Sequence, residues 1–400
     1  MIRPPVLIAG AGIAGLTAAI ALARAGVEAL LVERRPGFTE VGAGLQLSPN
    51  ASSVLHRLGL APAVARHAVA PRRLDIRSWD KPRSFAGMPM QEAAEPDGAP
   101  FWCLRRADLQ TALLDQARMM HGIRLMVGRR IVALTQDGRD IAVTVETERG
   151  SSETLQASAL IGADGIWSDV RRLLGDAGQP AFTGHEAWRT LIPADAAAEF
   201  AHMPAVNLWL GRQGHAVHYP VAAGRFINLV LIRKGGPARE GWTREGDRSE
   251  VQAMLAGAAK PLKALGAAAE GWQVWSLFDR PAAAMAKGRA ALIGDAAHPV
   301  LPFLAQGAAL AIEDAGLLAA LLAPALAAAQ EGAIEAALGR FATLRRQRAA
   351  RVQETARSNG RIYHAGFPLA VARDLVLRRL GDEGMRKRYG WLYGWRMDAS

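Results

Sequence analysis

The first residues that could do chemistry are Gly10, Gly12 and Gly15, in GxGxxG spacing between the apolar stretch VLIAG and an alanine-rich segment. The first two glycines allow a tight turn and close approach of a pyrophosphate, and the third lets a helix pack on a strand. The helix N-terminus supplies N–H donors and positive potential. Glu33 follows 18 residues after Gly15, where a carboxylate can accept hydrogen bonds from ribose hydroxyls. The pattern favours a dinucleotide site over a purely structural turn; Arg34 would either contact the adenine or be solvated.

Two later turns also follow apolar strands. In ALIGADGIWSDVRRLLG a strand leads to Asp164 and Gly165, although Asp-Gly is also a common turn. In LIGDAAHPVLPFLAQGAALAIEDAG a strand leads to Gly294 and Asp295, and the chain continues through Pro302 to another glycine turn before a long helix. We interpret this last segment as backbone shaped around a ligand.

Strands and helices must position these turns. VLIAG, an amphipathic helix from Ile13 to about Ala25 and a strand at EALLVERR predict a βαβ unit. IRLMVG, RIVALTQDG, DIAVTVETERG and ETLQASALIGADG predict further strands. Between about Phe182 and Leu277, the patterns VNLWLG, HAVHYPV and FINLVLI predict a separate antiparallel sheet. RAALIGDAA predicts a return to a buried parallel strand, followed by helices and an aromatic tail, YGWLYGW.

The predicted fold class is therefore α/β, with a Rossmann-like dinucleotide-binding domain, an inserted antiparallel-sheet domain and a helical C-terminus. We place the discontinuous dinucleotide-binding domain at residues 1–73, 100–181 and 276–360. The inserted domain would comprise residues 74–99 and 182–275, and a helical and aromatic segment would comprise residues 361–400.

Composition narrows the function classes. A chain of 400 residues fits two or three domains, and 50% hydrophobic with 21% charged residues is typical of a globular α/β protein. The single cysteine, Cys103, excludes an intramolecular disulfide and indicates a cytoplasmic protein. Nine histidines without a Cys/His cluster or an HExxH spacing predict no metal.

Charge and hydropathy predict neither a nucleic-acid nor a membrane partner. The net charge is +11, but the best basic run, RFATLRRQRAARVQETAR, has no interleaved aromatic residues for base stacking. The alanine–leucine run after Asp314 is interrupted by Pro324 and is shorter than the ~20 apolar residues that span a bilayer.

The three turn segments together resemble the motifs of the single-component FAD-dependent aromatic hydroxylases, the para-hydroxybenzoate hydroxylase type, in the same order. VGAGLQLSPNA, LRRADLQ, HAVHYP, RIYHAG and WLYGW further resemble the branch of salicylate hydroxylase and 3-hydroxybenzoate 6-hydroxylase. The likeness spans nearly the whole chain. It implies an FAD-binding domain of the glutathione reductase type, a substrate domain inserted into it, and NAD(P)H as co-substrate.

The resemblance also implies roles for individual residues. Gly12, Gly15 and Glu33 would hold the ADP half of FAD. Arg106 would contact the ribityl or phosphate region, and Asp295 would accept a ribityl hydroxyl. Asp164 would shape the loop near the pyrophosphate and help NAD(P)H engage. The turn at 306–308 would present N–H groups to the flavin edge where negative charge appears on reduction. The complete set of implied cofactor-binding residues is Gly10, Gly12, Ala14, Gly15, Glu33, Arg34, Gln46, Arg106, Asp164, Gly294, Asp295, Pro302, Gly307 and Ala308.

The implied reaction is hydroxylation of a phenolic, hydroxybenzoate-like or hydroxypyridine-like substrate. In this family NAD(P)H reduces the flavin, O₂ forms a C4a-hydroperoxide, and its distal oxygen attacks an electron-rich ring carbon. The protein must exclude water, and it must activate the phenol through an acid–base side chain.

The strand GHAVHYPV supplies acid–base candidates. Alternation puts His215, Val217 and Tyr219 on one face, and Ala216 and His218 on the other. The resemblance points to His215 and Tyr219, with His215 as the phenol base or relay; two histidines packed in a half-buried sheet are the alternative.

Gln306 is the third catalytic candidate. It would hydrogen-bond a substrate hydroxyl or carboxylate from the flavin side, or would be a turn residue with its side chain in solvent. The neighbouring Pro302, Phe303 and Leu304 predict an apolar approach to the flavin and a substrate less polar than a simple hydroxybenzoate.

Four other features carry weaker expectations. Arg189 would reach the substrate region or pair at the domain interface, His298 would pack or hydrogen-bond under its turn, and Cys103 would be inert core. The tail YGWLYGW would bury against a second subunit, giving a homodimer, or against the chain's own FAD domain.

Two other functions compete with hydroxylation. One is an FAD-dependent dehydrogenase or reductase that inserts no oxygen. The other is a non-catalytic flavin redox sensor, against which the single cysteine counts. For the hydroxylase, the expected partners are a small aromatic substrate, O₂ and NAD(P)H.

Overall fold

The fold was determined from a computed structural model of the chain. The structure describes residues 3–38, 43–91, 98–137, 140–197, 200, 204–212, 214–236, 244–328 and 330–397. The strands are β1 (Val6–Ala9), β2 (Ala29–Glu33), β3 (Gly44–Leu47), β4 (Arg73–Ser78), β5 (Ser84–Pro89), β6 (Trp102–Arg105), β7 (Ile123–Val127), β8 (Arg129–Gln136), β9 (Ile141–Thr147), β10 (Ser152–Ala157), β11 (Ala159–Gly162), β12 (Ala181–Pro193), β13 (Ala205–Gly211), β14 (Gly214–Val221), β15 (Phe226–Lys234), β16 (Arg244–Gly246), β17 (Trp272–Asp279), β18 (Ala286–Lys287) and β19 (Ala290–Leu292). The α-helices are α1 (Ile13–Arg24), α2 (Pro49–Arg57), α3 (Ala61–Ala65), α4 (Arg106–Arg118), α5 (Asp169–Leu173), α6 (Arg248–Leu255), α7 (Lys260–Ala268), α8 (Gly307–Ala328), α9 (Ala333–Tyr363) and α10 (Leu369–Tyr393).

A six-stranded sheet, in the order β18-β19-β11-β1-β2-β7, positions all three turn segments. Its strands from β19 to β7 pair in parallel, and β18 is an antiparallel edge. The strands are apolar and buried because helices and the strands β8 and β9 pack with them in one core. The predicted βαβ unit is confirmed as β1, α1 and β2. Since β1, β11 and β19 are adjacent and parallel, the turns that follow them meet at one edge of the sheet.

A small antiparallel meander, β8-β9-β10, extends from this domain. The segment ETLQASALIGADG contains two strands, which separate at Ser158: β10 joins the meander and β11 joins the parallel sheet. Ser158 donates from its Oγ to the carbonyl of Pro4 at 2.5 Å, which fixes the point of separation.

The second large sheet has eight strands in the order β16-β17-β12-β15-β14-β13-β4-β5. It is antiparallel as predicted, except that β13 and β4 pair in parallel. One face packs on the C-terminal helices and the other on α6 and α7. Three predicted domain boundaries lie inside strands and need correction: 73/74 in β4, 181/182 in β12 and 275/276 in β17.

The C-terminal segment is helical and folds back on the chain. The boundary predicted at 360/361 was wrong, because α9 continues to Tyr363. The other domain limits stay predictions. In the tail, the guanidinium carbon of Arg351 lies 3.8 Å from the ring centroid of Trp391. The rings of Tyr393 and Phe101 pack edge to face with their centroids 5.0 Å apart. The aromatic tail therefore packs against its own chain.

Among the described residues, one helix, α8, is long and apolar enough by length and composition to cross a membrane. The prediction that this run is too short was wrong, because the 22-residue helix continues through Pro324. Most of α8 is buried between α1, α2 and α9, so it is a core helix here.

Candidate functional site

The first turn forms one wall of a cleft, which we call the dinucleotide cleft and define by Gly10, Gly12, Glu33, Arg106 and Asp164. Gly10 has a φ of +95°, and a side chain at Gly15 would lie 1.9 Å from the Gly10 carbonyl oxygen. A Cβ at Gly12 would meet nothing within 4 Å, so the open side of the turn faces the cleft. The positive φ of Gly10 suits the predicted tight turn, and Gly15 allows the predicted close packing of the helix; close approach of a pyrophosphate at Gly12 stays a prediction.

The donors around the dinucleotide cleft suit a diphosphate and a ribose. The N-terminus of α1 points its free N–H groups at the cleft, and the Glu33 carboxylate accepts from Ala11 N and Arg35 N, each at 2.9 Å. Five arginines line the cleft: Arg34, Arg35, Arg106, Arg129 and Arg130. The residues present therefore fit the ADP part of FAD, the cofactor that the resemblance implies.

Replacing Gly15 with alanine should weaken FAD binding. The new methyl would collide with backbone, and relief of such overpacking costs about 1–3 kcal/mol, or roughly 5- to 150-fold in the FAD dissociation constant. Flavin fluorescence titration of the apoprotein measures this constant. Gly339→Ala, in an exposed part of α9 where a Cβ meets nothing, is the control. Equal FAD affinity in both variants would contradict this role of Gly15.

The second turn is held by Asp164. Its carboxylate accepts from Ser168 Oγ at 2.5 Å and from Val170 N at 3.1 Å, and Ser168 caps α5. Burial raises the pKa of Asp164, although these hydrogen bonds oppose the rise. Gly165 has a φ of +82°, which favours glycine. Asp164 thus holds the backbone of its own loop, and its place near the pyrophosphate and NAD(P)H stays a prediction.

The third turn follows β19. Gly294 has a φ of +58°, and a Cβ there would lie 3.1 Å from that of Ala14 and 3.2 Å from that of Ala311. This packing brings the first and third turns together. Asp295, next in the chain, is exposed beside them, and its bond to a ribityl hydroxyl stays a prediction.

The turn before α8 is strained at Ala305, a non-glycine residue with a φ of +53°. Gln306 follows, and Gly307 and Ala308 begin α8, so their backbone N–H groups have no partner within the helix. Pro302 lies in a short 3₁₀ turn just before Ala305. The strained residue thus sets the direction in which the helix N-terminus points.

Gln306 does not point into solvent, so that alternative was wrong. Its side chain is buried, its Nε2 donates to Ser48 Oγ at 2.9 Å, and its Oε1 accepts from Asn50 Nδ2 at 3.1 Å. Both ends of the amide are thus bonded to the segment that follows β3. This geometry makes Gln306 a positioning residue for the turn, while direct contact with substrate would require these bonds to break.

A buried ionic network supports the third turn, and the sequence analysis missed it. Asp314 accepts from Gly294 N at 2.9 Å, from His298 Nε2 at 2.6 Å and from Arg345 Nε at 2.6 Å. Burial alone would raise the pKa of Asp314, but His298 and Arg345 lower it to about 2. His298 therefore hydrogen-bonds under its turn, as expected.

Glu313 extends this network to the neighbouring segment. Its carboxylate pairs with Arg345 at 2.8 Å and with Arg348 at 2.7 Å, and it also accepts from Asn50 Nδ2. Because Asn50 also bonds Gln306, the network connects both turns of the third segment with α9. The sequence did contain a signal for this network: Glu313 and Asp314 are adjacent inside an otherwise apolar helix. Two buried carboxylates require buried cations as partners.

A second cavity, of about 530 Å³, lies between the eight-stranded sheet and the C-terminal helices; we call it the apolar cavity. The 302–305 turn and Gln46 also line it. Its lining from the sheet is Leu74, Ile76, Val206, Leu208, Leu210, His215 and Val217, and its lining from α10 includes Leu369, Ala372, Val376, Leu377 and Met385. The apolar approach predicted from Pro302, Phe303 and Leu304 leads into this cavity.

His215 is the acid–base side chain of β14 that lines the apolar cavity. It is 2% exposed, its Nδ1 lies 2.8 Å from Nε2 of His364, and its ring lies 5.6 Å from that of Phe303. Burial, followed by the neighbouring His364 and His185, lowers the pKa of His215 well below its usual value. His215 is therefore neutral near pH 7, the form that can accept a proton.

Tyr219 lies on the same face of β14, as alternation predicted. It is buried and hydrogen-bonded to Gln46, and it is absent from the cavity lining. Four residues of strand separate it from His215, about 13 Å, so the two cannot bond one hydroxyl. Gln46, predicted to bind cofactor, lines the apolar cavity and contacts Tyr219.

The other two candidates are also placed. The Arg189 guanidinium lies 4.2 Å from the ring centroid of Trp275, its Nε is buried without a hydrogen-bond partner, and burial lowers its pKa to about 10. The positive charge of Arg189 is close enough to lower the pKa of Tyr219, so Arg189 lies toward the substrate side of the sheet. Cys103 is buried, and burial raises the pKa of its thiol, so it is unreactive core.

Known proteins are similar to this chain in sequence and in fold. The family model for the FAD binding domain matches residues 3–356. A 3-amino-4-hydroxybenzoate 2-monooxygenase of Streptomyces platensis is 36% identical, over 98% of this chain and 96% of its own. A 3-hydroxybenzoate 6-hydroxylase of Klebsiella oxytoca is 32% identical, over 98% of this chain and 97% of its own.

Solved structures give the same result. A salicylate hydroxylase in a substrate complex superposes with a TM-score of 0.81 at 27% identity, over 99% of this chain and 96% of its own. HpxO of Klebsiella pneumoniae, in complex with FAD and uric acid, superposes with a TM-score of 0.84 at 25% identity, over 97% of this chain and 96% of its own. The comparisons support hydroxylation over the reductase and sensor alternatives. The chain therefore belongs to the FAD binding domain family, and it is an FAD-dependent monooxygenase that hydroxylates aromatic substrates with a reduced nicotinamide and O₂.

Proposed function

We propose that the aromatic substrate binds in the apolar cavity with a phenolic hydroxyl at His215, which takes up the hydroxyl proton. The observation that carries this proposal is the position of His215: it is a buried, neutral imidazole in the wall of a cavity that begins at the 302–305 turn. An electron-rich phenolate ring is the form that an electrophilic oxygen attacks, so removal of this proton activates the substrate.

Bound FAD would accept a hydride from NAD(P)H and deliver one oxygen atom of O₂ to the ring. The chain's own residues would hold it: the first turn and Glu33 would take the ADP part, and Asp295 would take a ribityl hydroxyl. The N–H groups of Gly307 and Ala308 would stabilise negative charge that develops on the flavin. Phe303 and Leu304, both buried, exclude water from the reacting centre.

The lining of the apolar cavity favours a phenol with a bulky apolar group. Leu369 and Val376 of α10 line the cavity, yet they are 68% and 54% exposed, so the cavity reaches the surface there. An apolar substituent would lie between the sheet and α10 and extend toward this opening. Burial of such a group contributes about 25 cal/mol per Å² of apolar surface.

A second candidate is a small aromatic acid. The unpartnered Nε of Arg189, close to Tyr219, favours an anionic group at that end of the sheet. Two relatives named above are monooxygenases of hydroxylated benzoates, which carry such a group.

A substrate panel distinguishes the two candidates. FAD-loaded protein would be supplied with NADH or NADPH and O₂ together with hydroxybenzoates, aminohydroxybenzoates, hydroxypyridines and phenols with apolar substituents of increasing size. We expect faster NAD(P)H oxidation and a product heavier by one oxygen atom, with the apolar phenols giving the lower KM. Tighter binding of the simple hydroxybenzoates would favour the aromatic acid, and a panel without any hydroxylated product would contradict both candidates.

We also propose a cytoplasmic location, supported by the buried free thiol of Cys103 and the dependence on a reduced nicotinamide. A homodimer is proposed from a patch of exposed apolar side chains on and before α10: Phe367, Leu369, Val371, Leu375 and Val376. Light scattering on the FAD-loaded protein, which gives its mass in solution, tests the dimer; a monomeric mass would contradict it.

A further inference from the structure

We propose that His364 is a positioning residue that completes a proton path from His215 to the protein surface. The proposal rests on the proposed function, in which His215 takes the phenolic proton. A buried imidazole that receives a proton in each turnover must lose it before the next; His215 is 2% exposed, and a substrate that fills the cavity separates it from water on that side.

The geometry supplies one exit. Nδ1 of His215 lies 2.8 Å from Nε2 of His364, a hydrogen bond between two imidazoles. His364 follows the last residue of α9 and is half-buried, so it connects the buried ring to the surface. Phe303 packs against both rings, with centroids at 5.6 and 5.7 Å, and this apolar contact keeps the pair aligned.

The charged and titratable groups around His364 favour release of a proton. The ring centroids of His185, in β12, and His364 are 5.2 Å apart, and the charge of Lys234, in β15, also lowers the pKa of His364. Arg373 of α10 donates to the carbonyls of Ile362 and Tyr363, just before His364. Burial, then His185 and Lys234, lowers the pKa of His364 to about 4, so a proton that reaches it passes on to water.

The transfer balances without a further reactant. The substrate O–H bond breaks and an Nε2–H bond forms on His215, while its Nδ1–H proton moves to Nε2 of His364. His364 is then doubly protonated and gives its Nδ1 proton to water. Both rings end neutral, with tautomers exchanged, and rotation of the rings restores the first state.

Ionisation of a bound phenol tests the path without turnover. Oxidised, FAD-loaded enzyme would be mixed with 4-nitrophenol, whose phenolate absorbs in the visible, and the pH would be raised in a stopped-flow instrument. In His364→Ala we expect the rate of phenolate formation to fall about 10- to 100-fold. The final extent of ionisation should be unchanged, and added imidazole should restore the rate. His121→Ala, at an exposed histidine before β7, is the control.

A second variant shows whether the slow rate of His364→Ala comes from lost proton transfer or from a folding defect. His364→Gln can still hydrogen-bond His215 but cannot pass a proton, so it should also be slow. Wild-type rates in His364→Gln, or no rescue of His364→Ala by imidazole, would overturn the path while leaving His215 as the base. Failure of the wild-type enzyme to ionise bound 4-nitrophenol would overturn the proposed function itself.

Discussion

Replacing His215 with asparagine is expected to lower kcat for hydroxylation by about 10²- to 10⁴-fold, the range typical of losing a general base. Asparagine can keep a hydrogen bond to His364, but it cannot accept a proton near pH 7. NAD(P)H oxidation and product formation should be measured together, because a phenol that stays protonated is attacked slowly and the ratio of product to NAD(P)H should also fall.

His218→Asn is the matched control, because it makes the same change on the same strand. His218 is buried on the opposite face of β14, between Phe200 and Trp209, and burial lowers its pKa to about 3. This variant should be destabilised without a comparable change in the ratio of product to NAD(P)H. If the two variants lost hydroxylation equally, His215 would be a packing residue and not the base.

The lowered pKa of His215 also predicts how kcat/KM of the wild-type enzyme depends on pH. A base acts in its unprotonated form, and burial lowers the pKa of His215 below that of an ordinary histidine. The acid limb of the kcat/KM profile should therefore lie below the usual histidine range. A limb at or above that range would mean that another group provides the base.

The sequence was most informative where chemistry depends on local backbone. The spacing of Gly10 and Gly15 was informative because the reasons are local: Gly10 has a φ of +95°, and a Cβ at Gly15 would collide with the Gly10 carbonyl within the same βαβ unit. The faces of His215 and His218 were also predictable, because side chains alternate along any strand. Neither inference needed to know which distant residues come into contact.

The sequence was least informative where function depends on partners far apart in the chain. Gln306 was assigned to substrate or solvent, and its actual partners, Ser48 and Asn50, lie more than 250 positions earlier. The hydrogen bond between Gln46 and Tyr219 also joins distant segments and was not foreseen, while binding of the cofactor by Gln46 stays a prediction. His364 drew no interpretation, because only the fold brings the end of α9 beside β14.

Replacing Arg345 with methionine should lower the free energy of unfolding by about 3–5 kcal/mol, because it leaves the carboxylates of Glu313 and Asp314 buried without their shared cation. Chemical denaturation of the FAD-loaded protein measures the change. Arg346→Met, the adjacent and exposed arginine of α9, should change stability by less than about 0.5 kcal/mol. Equal stability of the two variants would show that the network contributes nothing.

The same substitution should change the acid stability of the protein. Asp314 titrates near 2 when folded, below the ~3.9 of a free aspartate, so its contribution is complete above pH ~4 and is lost as the pH falls toward 2. Without Arg345 the folded pKa rises, so Arg345→Met should unfold at higher pH than the wild type. The double variant Arg345→Met/Asp314→Asn removes the buried charge that has lost its arginine, whereas Glu313 keeps Arg348, and it should recover part of the lost stability. If the double variant were less stable than Arg345→Met, charge compensation would not be the reason that Arg345 is needed, and its packing against Trp395 would be the remaining cause.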